Sequence, residues 1–80
     1  MPWSSRFPMA PKTYWWLRAR YKDGSASKPI PIRVEDHDRY GIVYRIVGDA
    51  GIWTPGEVEE EFRTRDVAAE FAGPIALPED

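Results

Sequence analysis

Eighty residues without a cysteine make one small domain and exclude a disulfide framework or a thiolate metal site. Eleven aromatic residues, four of them tryptophan, must therefore supply much of the burial that holds the chain together. The net charge of −2 hides an asymmetry: residues 1–54 carry nine basic and five acidic side chains, residues 55–80 two and eight. Such a dipolar chain either pairs its own two halves or offers an acidic surface to a basic partner, and its overall acidity opposes a polyanion.

Residues 1–12 hold Pro2, Pro8 and Pro11, a spacing that forbids helix and predicts an extended N-terminal arm. Trp3 and Phe7 can pin that arm to the sheet or to another subunit; if neither packs, the arm is disordered. The domain proper is expected over 13–80. Thr13–Tyr21 is the most strand-like run, rich in aromatic and β-branched residues and closed by the turn pair Asp23-Gly24. Alternation puts Trp15, Leu17, Ala19 and Tyr21 on a core face and Tyr14, Trp16, Arg18 and Arg20 on the other.

Asp23–Lys28 reads as a flexible connection. Ile30, Ile32 and Val34 alternate along a second strand, where Pro31, lacking an N–H, predicts an edge position or a strand that begins after it. Asp36–Gly41 reverses the chain. Ile42–Val47, apolar on both faces except at Arg45, predicts a third and central strand. Ile52-Trp53 suits a short fourth strand after the Gly48–Gly51 turn.

Thr54, Pro55 and Glu57 then mark a helix start with a capping box, and Glu57, Glu59, Glu60 and Glu61 lie in its first turns, where they complement the helix dipole. A single helix over 55–72 fails, because Val67 and Phe71 fall almost opposite Val58 and Phe62. A break near Thr64, which caps a second short helix over 65–72, repairs the pattern. A strand over 58–63 leading into that helix is the weaker alternative. Gly73-Pro74 is read as the helix stop, and 74–78 as an extended tail anchored by Ile75 and Leu77. The expected fold is α+β: a three- to four-stranded antiparallel sheet followed by a C-terminal helical segment broken near Thr64.

Glu35-Asp36-His37-Asp38 is the one cluster with metal or acid–base character, but adjacent residues do not converge on one ion, and no distant ligand group accompanies them. It reads as a solvated polar turn. No Gly-rich phosphate loop, nucleophile elbow or His-x₃-His spacing is present, so we read the chain as a non-enzyme that needs no cofactor.

Two surfaces remain as partner sites: the Tyr14/Trp16/Arg18/Arg20 strand face, and the carboxylates of Glu57, Glu59, Glu60 and Glu61. Tyr14, Trp16, Val43 and Val47 all lie on sheet faces that one short helical segment cannot cover, so a second cover is expected from the arm, the tail, a second protomer or a foreign protein.

In size, acidity, absence of a catalytic motif and strand–helix layout the chain resembles the small phage-encoded inhibitors of bacterial defence, anti-CRISPR proteins in particular. Those proteins share no motif, so no residue role transfers. The resemblance implies a protein partner, a CRISPR surveillance complex of the bacterial host, and a block on its target DNA binding. A composition with eight Arg to three Lys and neither Asn nor Gln suits a GC-rich bacterial or phage genome. The Met1–Arg6 start without an apolar leader, and the lack of any apolar run of transmembrane length, lead us to expect a stand-alone cytoplasmic product with no membrane contact. The alternatives are a single-stranded nucleic-acid binder, which the overall acidity disfavours, and a homodimeric structural or regulatory module.

Overall fold

The computed structural model describes residues 2–76. Its elements are β1 (Thr13–Arg20), β2 (Ile30–His37), β3 (Gly41–Ile46), β4 (Ile52–Trp53), α1 (Pro55–Thr64) and β5 (Ala68–Ile75). The strands form one antiparallel sheet in the order β4-β3-β2-β1-β5. β1 to β4 are a meander, while β4 and β5 lie at opposite edges. The chain between those edges has to cross one face of the sheet, and α1 makes that crossing. The fold is α+β, with five strands rather than three or four and with its helix before the last strand.

Register divides the residues cleanly between faces. Trp15 lies opposite Ile32, and Thr13 opposite Val34. Ile32 lies opposite Ile46, Val34 opposite Tyr44, and Leu17 opposite Phe71. These positions share the helix side. Leu17, Ile32, Val34, Tyr44, Ala69 and Phe71 form the buried cluster there with Val58 of α1. The other side carries Tyr14, Trp16, Arg18, Arg20, Arg33, Glu35, Val43, Arg45, Glu70 and Ala72.

α1 begins as its sequence dictates. Thr54 Oγ1 accepts the Glu57 N–H at 3.1 Å, and the Glu57 carboxylate accepts the Thr54 N–H at 2.9 Å, a complete capping box. The helix ends at Thr64, where a break is expected, but no second helix follows. Asp66 adopts a left-handed φ of 60°. Its N–H reaches the Arg63 carbonyl, and the Val67 N–H reaches the Phe62 carbonyl. This is a Schellman motif, with Val67 and Phe62 as its apolar pair.

The segment expected as helix over 65–72 is instead largely β5, paired to β1 from Arg20↔Ala68 to Tyr14↔Ile75. Local propensity in Ala68-Ala69-Glu70 favours helix. The free edge of β1 overrides it, because pairing satisfies both backbones and buries Ala69 and Phe71. Gly73-Pro74, expected to stop a helix, lies where the β1–β5 register shifts between Tyr14 and Trp16.

Two further expectations are corrected. Pro31 lies in β2, the middle strand, and not at an edge. It accepts a hydrogen bond from the Val47 N–H at 3.0 Å but has no N–H to return, and the β2–β3 ladder ends at Ile32↔Ile46 beside it. The missing donor thus falls where the ladder stops. β3, expected to be central, is interior but flanked on one side only by the two-residue β4. Tyr21, expected in the core, lies one residue past β1 and is 42% exposed.

The N-terminal arm is ordered and extended. Ser4 exchanges two backbone hydrogen bonds with Phe71, at 2.9 and 2.8 Å, which closes part of the β5 edge. On the helix side the Phe7 ring lies 4.8 Å from that of Phe71, and the Pro8 carbonyl accepts the Tyr44 hydroxyl at 2.7 Å. On the other side Trp3 lies against Arg18. The arm thus wraps the β5 edge from one face to the other. Of the tail expected over 74–78, Pro74 and Ile75 belong to β5, while Leu77 and Pro78 lie outside the described residues.

Candidate functional site

β1 places Tyr14, Trp16, Arg18 and Arg20 together on the side of the sheet away from α1, as alternation predicts. Their guanidinium groups are largely engaged. Arg18 Nε meets Glu70 Oε1 at 2.9 Å, and Arg20 shares the same carboxylate oxygen at 3.3 Å. A second group lies on β2 and β3: Arg45 Nε bonds Glu35 at 2.9 Å, with Arg33 at 3.9 Å from the same carboxylate. Arg33 also lies 5.8 Å from the Tyr14 ring.

Partial burial acts to raise the Glu70 pKa, but the hydrogen bonds from Arg18 and Arg20 outweigh it and hold the carboxyl below its ordinary value. The Arg45 hydrogen bond lowers Glu35 in the same way. Val43, on this side in register with Glu35, is 0% exposed. Val47, past the strand end, stays exposed.

The carboxylates of Glu57, Glu59, Glu60 and Glu61 belong to α1 and so lie across the sheet from the arginine face. The two sets of expected partner residues are therefore not one site. Glu60 pairs with Arg63 and Glu61 with Arg65 along the helix, while Glu57 serves the cap and Glu59 has no ion-pair partner among the described residues.

Beside this helix lies an open apolar cleft of about 590 Å³. Leu17, Ile32 and Tyr44 floor it; Phe62, Ile46 and Val67 line it, with Glu61 and Arg65 at the helix. Tyr21, Ile30 and Trp53 also line it and stay 42%, 37% and 40% exposed. Ten helical residues are too few to roof a five-stranded sheet, and the cleft is the uncovered remainder. Its size and apolar lining are those of a binding pocket. The one hint in the sequence was the shortness of the helix; the cleft itself depends on where α1 crosses.

His37 serves its turn: Nδ1 accepts the Arg39 N–H at 3.1 Å and the Tyr40 N–H at 3.4 Å, and its ring lies 5.0 Å from that of Tyr40. Among the described residues no group of three His, Asp or Glu could hold a metal ion, and no helix is long and apolar enough to cross a membrane.

The fold and these surfaces define a small antiparallel α+β domain with an apolar cleft, edged by the Glu61–Arg65 pair, on one face and an aromatic, arginine-rich layer on the other. No protein family, curated protein or solved structure matches the chain.

Proposed function

We propose that the protein is a non-enzymatic binding module whose partner is a basic segment of another protein, seated on the helix side. The observation that carries this is the open apolar cleft beside α1, with exposed Tyr21, Ile30 and Trp53 in its lining and the Glu61–Arg65 pair at its edge. Protein interfaces join an apolar, aromatic-rich centre to a polar rim, and here Tyr21, Trp53 and Ile30 supply the centre. Glu61 stands at its edge, and Glu57, Glu59, Glu60 and Glu61 outnumber Arg63 and Arg65 along the helix, a net negative charge that steers a cationic partner and raises its on-rate. The outer residues Tyr14, Trp16, Arg18 and Arg20 are then not needed for this contact.

The specific form of the proposal is an anti-CRISPR-like inhibitor, phage-encoded and acting in the bacterial cytoplasm. Its acidic helix occupies a basic nucleic-acid channel of a surveillance complex and keeps target DNA out. Size, acidity and this surface support it. A homodimer closed over the cleft is disfavoured by charge, since an isologous contact brings two copies of the same glutamate-rich helix face to face.

The test is binding to a panel of purified CRISPR surveillance complexes by interferometry, with target-DNA capture measured in parallel. Expected are dissociation constants below about 1 μM, loss of DNA capture, and weakening by at least tenfold in Trp53→Glu and in the triple reversal of Glu59, Glu60 and Glu61 to Lys. Absence of binding to every complex overturns the inhibitor reading. Binding that survives both variants overturns the cleft as its site.

A further inference from the structure

The arginine face holds a feature that the protein-binding proposal leaves unused. Trp3, Trp16, Lys28 and Pro29 enclose a shallow hollow of about 410 Å³. Two indoles and a proline ring line it, with one ammonium group at hand. Trp3 is placed before any ligand arrives. The Arg18 guanidinium lies 3.9 Å from its ring centroid, Glu70 holds Arg18 at 2.9 Å, and the neighbouring Ser4 is paired to Phe71. Arg18 does not itself line the hollow.

Ligand class follows from charge. Aromatic walls alone suit a planar ring or a quaternary ammonium group. Lys28 repels the cation and favours an anion, which leaves a planar ring joined to an anionic group. The surrounding face agrees: Arg18, Arg20, Arg33 and Arg45 share only Glu35 and Glu70, an excess of positive charge. The acidity of the whole chain is the objection to a polyanion. Topology weakens it, because the four glutamates of α1 lie across the sheet.

We propose that this outer face is a second site, independent of the cleft, that binds single-stranded nucleic acid. One base stacks in the Trp3/Trp16 hollow, and its flanking phosphates meet Lys28 and the exposed edges of Arg20, Arg33 and Arg45. A pre-placed indole stacks without first being ordered, and stacking is indifferent to base identity. Binding is therefore sequence-tolerant and salt-sensitive.

The test is fluorescence anisotropy of a labelled fifteen-nucleotide oligothymidylate on the intact protein at low and near-physiological salt. Expected is a dissociation constant at or below about 100 μM at low salt, weakening as salt rises. Trp3→Ala at a half-buried position and Lys28→Glu at an exposed one, both checked for folding by circular dichroism, should each weaken it about fivefold or more. Trp53→Glu on the opposite face should leave it unchanged, which separates this site from the cleft.

No binding at low salt overturns the proposal, as does binding indifferent to both Trp3→Ala and Lys28→Glu. Equal affinity for thymidine monophosphate overturns the strand reading, because a strand site gains from its flanking phosphates. Equal affinity for a duplex of the same length overturns stacking as the mode.

Discussion

Gly73 shows how much depends on one missing atom. Its φ is +156°, and a Cβ there meets Trp15 Cδ2 and Cε3 at 3.0 Å and the Tyr14 carbonyl oxygen at 3.1 Å. The backbone atom cannot yield, and the indole is held by its Nε1–H bond to Thr13 at 2.9 Å. Gly73→Ala should destabilise the domain by about 1–3 kcal/mol, measured as a lower urea midpoint with an unchanged slope. Glu70 carries a pH signature. Its folded pKa lies below the unfolded one, so its ionised pairing with Arg18 and Arg20 stabilises the fold above the ordinary value of 4.5 and is lost as pH falls through the folded value. Stability should thus decline on acidification below about pH 5. Glu70→Gln should be less stable than the parent at pH 7, with the gap closing toward pH 3, as thermal melts across that range will show. A constant gap contradicts the assignment.

At the scale of elements, α1 is the one written most plainly in the sequence. Thr54, Pro55 and Glu57 announce its start, and the mismatch of Val67 and Phe71 with its apolar face announces its end. Thr54→Ala removes the acceptor for the Glu57 N–H and should lower stability by about 1 kcal/mol, with hydrogen exchange accelerating first in the amides of the opening turn. β5 is the opposite case. Ala68, Ala69 and Ala72 carry no β preference, and Val67, Ala68 and Phe71 fit a helical stripe as well as they fit anything. What makes the segment a strand is fifty residues away, in the unpaired edge of β1. The Arg18–Glu70 pair was hidden for the same reason, since it becomes visible only when Glu70 is placed on a strand opposite Arg18.

At the scale of the molecule, Phe71 joins the parts. It is fully buried, pairs with Leu17 of β1, exchanges backbone bonds with Ser4, and packs its ring on Phe7 and, at 5.8 Å, on Tyr44. Phe71→Ala should cost about 3–5 kcal/mol, most of what so small a domain has. Loss of amide dispersion in its proton spectrum at 25 °C is the expected readout.

From the sequence alone came the strand alternation of β1 to β3, the capped start of α1 and its break, the grouping of Tyr14, Trp16, Arg18 and Arg20 on one face, and the extended arm. Each rests on contacts within a few residues or on a fixed period along the chain. Tertiary structure decided the rest: β5 in place of a helix, Pro31 in the middle strand, the arm wrapped round an edge, and the open side of the molecule. A second cover was expected over Tyr14, Trp16, Val43 and Val47. On that face the arm brings Trp3 against Arg18 and beside Trp16, while Val47 stays exposed. The open cleft lies beside a helix too short for its sheet. Those outcomes depend on which distant backbone edges and apolar surfaces remain unsatisfied once the local elements exist, and no local pattern encodes that remainder.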